Sequence, residues 1–477
     1  MSRLEEIDYE SFDALGLAAL IAAGELTPAE VLEAAIERAE RHQALGAIPI
    51  PMYEEGRATA MGPLPEGPFR GVPFLLKDLY AAYEGWRLTN GSRLFEEQVS
   101  DHDHTLVTRY KAAGLVCFGR SASPEFGITT STESVLFGAT RNPWNREYSA
   151  GGSSGGAAAA VAAGILPAAH ASDGGGSIRV PASCCGLFGM KPTRARTPAG
   201  PQVGEGWSGM STAHAVTRSV RDSAALLDAT QGPEHGAPYW APPPARPYLE
   251  EVGRDPGRLR IALQTQAFNG HSTHPDCRKA AQAAAALCRE LGHEVVERSL
   301  GVDAAALGRA SQVIIAANTR VALEDGAAAK GREPEQDDVE PMTWGMTSLV
   351  AQTTTAVDYA RAVRSLHAAG RQLARFFEEC DVLLTPTMAT PPCRIGELAL
   401  TNSDVPALLD RLQATIGYTQ LLNATGTPAM SVPLSWNAEG LPIGVQFAAP
   451  FGDEATLFRL AAQLEQAQPW FDRRPPV

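Results

Sequence analysis

The sequence lacks an excess of positive charge. Its 477 residues carry 40 Lys and Arg against 54 Asp and Glu, a formal net charge of −14 with a pI near 5.3. Nucleic-acid binders displace counterions from phosphate with a basic face, so no nucleic-acid partner is expected beyond what a small local patch could hold. It also lacks a clean apolar run. The most conspicuous uncharged stretch, Tyr148 to Ser172, is about long enough to cross a bilayer, but it is full of Gly and Ser and broken by Pro167. The segment MSRLEEIDYESFD at the start is charged throughout, with no apolar h-region and no cleavage site. The expectation is a cytoplasmic chain with no membrane association.

Paired thiols are missing too. The seven cysteines (117, 184, 185, 277, 288, 380 and 393) are an odd set without a CxxC pair, and vicinal Cys184 and Cys185 make a poor disulfide. Reduced, mostly buried thiols are expected. No HExxH occurs, and His102 and His104 in DHDH, the one cluster with metal-ligand character, read more simply as a solvated loop. Neither a metal nor a cofactor is expected.

What is present is core-forming. Hydrophobic residues make up 44% and charged residues 20%, which excludes a disordered chain, and Gly (45) and Pro (35) are somewhat abundant. Thr27-Pro28-Ala29-Glu30 is a capping box with Pro at the first helical position, ahead of Val31, Leu32, Ala35, Ile36 and Ala39 at helical spacing. GVPFLLK (71–77) and GLVCFG (114–119) read as buried strands with a helix between them, a βαβ pattern that predicts a mostly parallel sheet. A Pro- and Gly-rich excursion (230–258) precedes strand-like RLRIAL (258–263) and an Ala-rich helix (278–291). DVLLTPT (381–387), PAMSVPL (428–434) and PIGVQFAA (442–449) are further strands, followed by a helix from Glu454. One large α/β domain over 1–477 is the economical reading.

The informative stretch is Ser149 to Ser177, SAGGSSGGAAAAVAAGILPAAHASDGGGS, in which 23 of 29 residues are Gly, Ala or Ser. A linker is a poor fit, because Ala157–Ile165 is a strong apolar helix former. A phosphate cradle would want GxxxxGK[ST], which is absent. Gly151-Gly152-Ser153-Ser154-Gly155 fits GxSxG formally, but the last histidine, His367, is awkwardly placed for an α/β-hydrolase triad. The reading that uses both Gly-rich loops is an oxyanion hole: Gly174-Gly175-Gly176-Ser177 offers consecutive backbone N–H groups and ends in a serine. That serine needs a base. Lys77 ends an apolar strand, where burial would lower its pKa and let the neutral amine accept a proton. Spacing alone supports a strand-end ion pair of Lys77 with Asp78 at least as well.

These residues resemble the amidase signature family. The likeness rests on GGSSGG (151–156), DGGGSIRVP (173–181), GVPFLLKD around Lys77, PEFG (124–127), ATRNPWN (139–145), CGLFGMKPT (185–193) and the C-terminal GTPAMSVPL and GLPIGVQF. It implies an amidase signature fold: α/β, a single large mixed, mostly parallel sheet covered by helices on both faces. N-terminal helices (1–60), a signature core (61–230), a variable substrate-pocket region (231–370) and a C-terminal part of the core (371–477) would make up one amidase domain. It implies that Ser177 is the acyl-forming nucleophile, Lys77 the ultimate base, and Ser153, after a cis peptide bond, the proton relay between them. The oxyanion donors would be the N–H groups of Gly174, Gly175 and Gly176, with Ser177. Ser154, Asp173 and Arg179 would hold the loops. The family usually has Thr-Asp-Thr-Gly-Gly-Ser where this chain has Ser172-Asp173-Gly174-Gly175-Gly176-Ser177, which keeps the donor but loosens the loop.

Within the family, SIRVPASCCGLFGMKPTRARTPAGP (177–201), RSVRDSAALLD (218–228), DDVEPMTW (337–344) and AAQLEQAQPWFDRRP (461–475) are similar to hydrolases of nylon-type 6-aminohexanoate oligomers. The implied function is a serine amidohydrolase acting through an acyl-enzyme on small linear or cyclic amides, with a small-molecule amide as its partner. A homodimer stays open. So do an esterase or carbamate (urethane) hydrolase on the same triad, and the glutamine-hydrolysing component of an amidotransferase. Met342 and Trp344 fall in a variable stretch and stay unassigned, since an aromatic there is more simply core.

Overall fold

The structure, a computed structural model, describes residues 9–477. The first eight residues of the expected N-terminal helices therefore lie outside the described residues. Helix α1 (Pro28–Arg41) starts at the capping box, with Thr27 and Glu30 satisfying each other's backbone N–H groups, and it buries Val31, Leu32, Ala35, Ile36 and Ala39. Strands β1 (Ile50–Pro51), β2 (Pro73–Lys77) and β3 (Val116–Ser121) form a small sheet in the order β1-β3-β2. β2 and β3 are parallel, joined through α2 (Thr105–Ala112), so the βαβ unit is there.

The chain then runs through α3 (Gly155–Ala162), β4 (Ala168–Asp173), α4 (Arg179–Cys185), β5 (Phe188–Lys191) and β6 (Thr212–Thr217). Its second half holds β7 (Arg260–Leu263), α5 (Pro275–Glu290), β8 (Glu294–Glu297), α6 (Ala304–Ala329), α7 (Pro341–Thr353) and α8 (Ala356–Phe376). After these come β9 (Val382–Pro386), α9 (Gln420–Thr425), β10 (Ala429–Trp436), β11 (Pro442–Ala448) and α10 (Glu454–Ala467). Eight of these strands make the main sheet, in the order β8-β7-β9-β11-β10-β5-β6-β4.

The sheet is mixed and has helices on both faces, but the expectation that it is single and mostly parallel needs correcting. The parallel βαβ unit forms its own small sheet. In the main sheet only β7 with β8 and β7 with β9 pair in parallel; the other neighbours are antiparallel. The reason lies in connections that strand patterns do not reveal. β10 and β11 are joined by the tight turn after Trp436, too short for a crossover, so they must pair antiparallel. β6 returns between β4 and β5 and runs against both.

Alternation along the strands builds the two faces. Ile261, Leu263, Val382, Leu384, Val445 and Phe447 pack with α5 and α10. Ala262, Leu383, Ala429 and Ala448 pack with α6, α8 and α9 on the other face. Met342 and Trp344 of α7 pack into the core around α3, in keeping with the simpler expectation for that segment. The Pro/Gly-rich excursion is pinned where it leaves the core: the Arg109 guanidinium donates to the carbonyls of Thr230, Gln231, Gly232 and Pro233. All seven cysteines are free thiols, buried except Cys393, which is partly so.

α3 decides where the site lies. All eight of its residues are buried, and none is larger than Val161. A Cβ at Gly156 would meet the Ala122 N at 2.2 Å, so only glycine lets this helix start against the segment leaving β3. Close packing brings the N-terminus of α3, the end of β2 and the β4–α4 connection together.

Candidate active site

Every residue of β2 is buried, and its last, Lys77, has no solvent exposure. The Lys77 Nζ donates to Ser153 Oγ at 2.7 Å and to Ser172 Oγ at 3.0 Å. Burial lowers its pKa to about 7, against the opposing pull of the Asp173 carboxylate. At neutral pH much of this amine is unprotonated. The Lys77 backbone N–H donates to His170 Nδ1 at 3.2 Å, which puts the imidazole proton on Nε2. Burial, with the Lys77 charge beside it, pushes this histidine well below its ordinary pKa and keeps it neutral.

Asp78 is not the partner of Lys77. Its carboxylate accepts the Thr89 N–H at 3.0 Å and the Thr89 hydroxyl, and it joins no ion pair among the described residues. The strand-end ion pair that spacing permitted is thus overturned: successive β residues face opposite ways, which sends the two side chains to different neighbours.

Ser153 follows a cis Gly152–Ser153 peptide bond and is almost fully buried. Next to it Ser154 Oγ donates to the Ser172 carbonyl at 3.2 Å and accepts the Ser172 N–H at 3.3 Å, tying the first Gly-rich loop to β4. The second loop is organised by Asp173. Its Oδ1 accepts the Gly176 N–H at 2.7 Å, and its Oδ2 accepts the Ile178 N–H at 3.1 Å. Arg179 clamps both oxygens, Nε to Oδ2 at 2.9 Å and Nη2 to Oδ1 at 3.0 Å. Burial works against ionisation of Asp173, but the Arg179 charge and hydrogen bonds outweigh it and hold the carboxyl well below its usual range. Arg179 also donates to Gln446 Oε1 at 2.7 Å and Asn423 Oδ1 at 2.6 Å, and the Thr419 hydroxyl donates to the Gly175 carbonyl at 2.6 Å.

One expected oxyanion donor is corrected by this network. The Gly176 N–H is already given to Asp173, so it cannot face a substrate oxygen. The N–H groups of Gly174, Gly175 and Ser177 have no acceptor among the described residues and remain available. The three glycines also differ in why they are glycine. A Cβ at Gly174 would lie 2.6 Å from the Trp207 ring, and Gly176 has φ +139° with Thr419 2.6 Å away. Beside Gly175 there is open space. The indole fills the volume of a side chain at 174, so the loop is buttressed where the sequence suggested looseness.

Ser177, on the same loop, is mostly buried, and its side chain makes no hydrogen bond among the described residues. Lys77 thus contacts Ser153, and no hydrogen bond joins Ser153 to Ser177 among the described residues.

Sequence reasoning missed two residues here. Ser172, the second acceptor of Lys77, shares a face of β4 with His170, and the two-residue period of a strand at 168–173 would have paired them. Gly127, in PEFG, has φ +67°, and a Cβ there would lie 3.0 Å from Ser153 Oγ and 2.7 Å from Leu79 Cδ2. No local signal ties it to Ser153. In the DHDH segment the bonding is local: His102 pairs with Asp101, and His104 Nδ1 caps α2 by accepting the Leu106 N–H. No helix among the described residues is long and apolar enough to cross a membrane.

The family described as Amidase matches residues 30–458. The chain is similar to the 6-aminohexanoate-cyclic-dimer hydrolase of Paenarthrobacter ureafaciens, with 39% identity over 480 residues covering 98% of this chain and 96% of that one. Its structure matches that of a 6-aminohexanoate cyclic dimer hydrolase complexed with substrate at a TM-score of 0.92, with 36% identity and coverage of 98% and 99% of the two chains. A bacterial aryl acylamidase of the amidase signature enzymes matches at a TM-score of 0.88, with 26% identity and 96% coverage of each chain.

Proposed function

This chain belongs to the amidase signature family and is an amidohydrolase related to nylon-oligomer hydrolases, and from that premise we propose that it works through Ser177, Ser153 and Lys77. The observation that carries the reading is the buried Lys77 Nζ, 2.7 Å from Ser153 Oγ and depressed to about 7. An amine that is neutral at working pH takes a proton from a hydroxyl; an ordinary lysine cannot.

The Lys77–Ser153 contact supports the following course of reaction. Neutral Lys77 takes the Ser153 proton as Ser153 takes that of Ser177, and Ser177 Oγ attacks the amide carbonyl. The N–H groups of Gly174, Gly175 and Ser177 receive the negative charge that develops on the carbonyl oxygen. The proton returns along the relay to the leaving amine, the C–N bond breaks, and an acyl ester of Ser177 remains. Water then attacks that ester, the relay takes its proton and returns it to Ser177 Oγ as the ester C–O bond breaks, and the carboxylic acid leaves. Asp173 and Arg179 keep the loop in shape.

We read the chain as one amidase domain. Thr419, Asn423 and Gln446 reach Gly175, Asp173 and Arg179, so its C-terminal part completes the site of its central part. The substrates are small linear or cyclic amides, nylon-type oligomers among them. Replacing Ser177 by Ala should lower turnover of p-nitroanilides and of linear and cyclic amides at least about 10³-fold, with an unchanged circular dichroism spectrum. Near-wild-type turnover in the purified variant overturns the triad.

A further inference from the structure

The segment leading into β6 ends in a turn against the Gly174 loop, and its backbone is unusual. Trp207 (φ 51°), Ser208 (φ 51°) and Gly209 (φ 77°) are three consecutive left-handed residues. For a tryptophan and a serine this brings Cβ close to the following carbonyl, and it persists only where the surroundings hold it. Within the turn, the N–H groups of Gly209 and Ser211 donate to the Gly206 carbonyl at 3.1 Å, and that of Met210 to the Trp207 carbonyl at 3.2 Å. From outside, Arg194 Nε donates to the Gly209 carbonyl at 2.6 Å and Asn423 Nδ2 to the Met210 carbonyl at 3.2 Å. The same Asn423 amide donates to the Asp173 carbonyl at 2.9 Å, so the turn and the loop before Ser177 share an anchor.

One further contact comes from the region least legible in the sequence. The Tyr359 hydroxyl, on α8, lies 2.7 Å from Ser208 Oγ. Asn318 Nδ2, on α6, donates to the same Tyr359 oxygen at 3.1 Å and to the Ile314 carbonyl at 2.8 Å. Two helices of the variable region thus hold a left-handed serine whose neighbour is the indole against Gly174.

The indole sets a shape for the substrate. It closes the space beside Gly174, while beyond its two chain neighbours nothing lies within 4 Å of a Cβ position at Gly175. A carbonyl held by these N–H groups would have the indole on its Gly174 side and open space on its Gly175 side. We propose that the Trp207–Ser208 turn, clamped by Tyr359, selects amides with unbranched acyl chains, Tyr359 being a positioning residue for the Trp207 wall. The proposal rests on the reading of Gly174 and Gly175 as oxyanion donors. A polymethylene chain leaves the carbonyl over Gly175; a carbonyl flanked by a quaternary carbon meets the indole. Without the Tyr359 hydroxyl the turn is freed to relax and the wall withdraws.

The test compares kcat/KM for the p-nitroanilides of butanoic and pivalic acids in the wild type, Trp207→Ala, Ser208→Ala, Tyr359→Phe, the Ser208→Ala/Tyr359→Phe double variant and Ser177→Ala. The wild type should prefer the straight chain by about 100-fold, the upper range for steric discrimination in an apolar pocket. Trp207→Ala should cut that ratio at least about tenfold by improving the branched substrate. Ser208→Ala and Tyr359→Phe should each cut it roughly threefold, and the double variant no further, because they remove one shared bond. A wild-type ratio near one, an unchanged ratio in Trp207→Ala, or independent effects of Ser208 and Tyr359 overturns the proposal. A general loss of stability lowers both rates together and leaves the ratio unchanged, which also counts against it. Activity that survives Ser177→Ala, or a wild type inert to both anilides, overturns the reading of the site itself.

Discussion

Lys77 and Lys191 each close a buried strand, β2 and β5, and burial lowers each of them to about 7. Their neighbours differ. Lys77 Nζ reaches the hydroxyls of Ser153 and Ser172, whereas Lys191 Nζ donates to the carbonyl of its own neighbour, Pro192, at 2.7 Å. A hydroxyl can surrender a proton to a neutral amine; a carbonyl cannot. Desolvation thus makes both lysines available as bases, and the acceptor beside each decides whether that availability has any use. A depressed lysine marks a candidate site only together with the group it touches.

The contrast can be broken most directly by substitution. Lys77→Met should lower kcat at least about 10³-fold, within the range for losing a general base. Lys191→Met should stay within about tenfold of wild type. Equal losses would mean that burial, not the hydroxyl contact, matters. Next in size is Gly127→Ala, which should cost roughly 10- to 100-fold in kcat, the scale of a misplaced catalytic group. Its Cβ would crowd Ser153 Oγ at 3.0 Å, and parallel kcat and Tm measurements separate that from unfolding.

The pH profile sharpens the same point. As the proposed base Lys77 would have to be neutral, so kcat/KM should rise with pH through a limb near 7 and level off above it. That limb should persist in Lys191→Met. Ser172→Ala should cost roughly tenfold and move the limb to lower pH, because a hydrogen bond from the charged amine favours the ammonium form. A limb that moves with Lys191 instead would reassign the base.

The smallest effect is on stability. A lysine depressed in the folded state binds fewer protons there than in the unfolded chain between pH about 7 and its ordinary pKa near 10.5, so its destabilising effect is complete below pH 7 and fades as the pH rises. Lys77→Met should raise Tm by a few degrees, and by more at pH 6 than at pH 9, as read by calorimetry. The opposite pH trend would mean that Lys77 stays charged in the fold.

Much of this is legible in the residues themselves. The capping box of α1, the strand–helix–strand around Lys77, and the two Gly-rich loops are local patterns, and each appears where the residues put it. Three features are not legible there. Strand direction in the main sheet depends on which strands become neighbours, and β6 inserting between β4 and β5 leaves no local trace. The loss of the Gly176 donor depends on a carboxylate three residues back folding onto it. The need for Gly at 174 depends on an indole more than thirty residues away.

Spacing and residue type are enough to define the chemistry available: serines on glycine loops, a lysine ending an apolar strand, and a chain of this composition to bury them. These are properties of short segments, whose preferences act within a few residues. Which hydroxyls the lysine meets, which amides stay free for an oxyanion, and which side of the loop is open are pairings between distant segments. Packing alone sets those, because desolvation and hydrogen-bond geometry exist only once the segments are in contact.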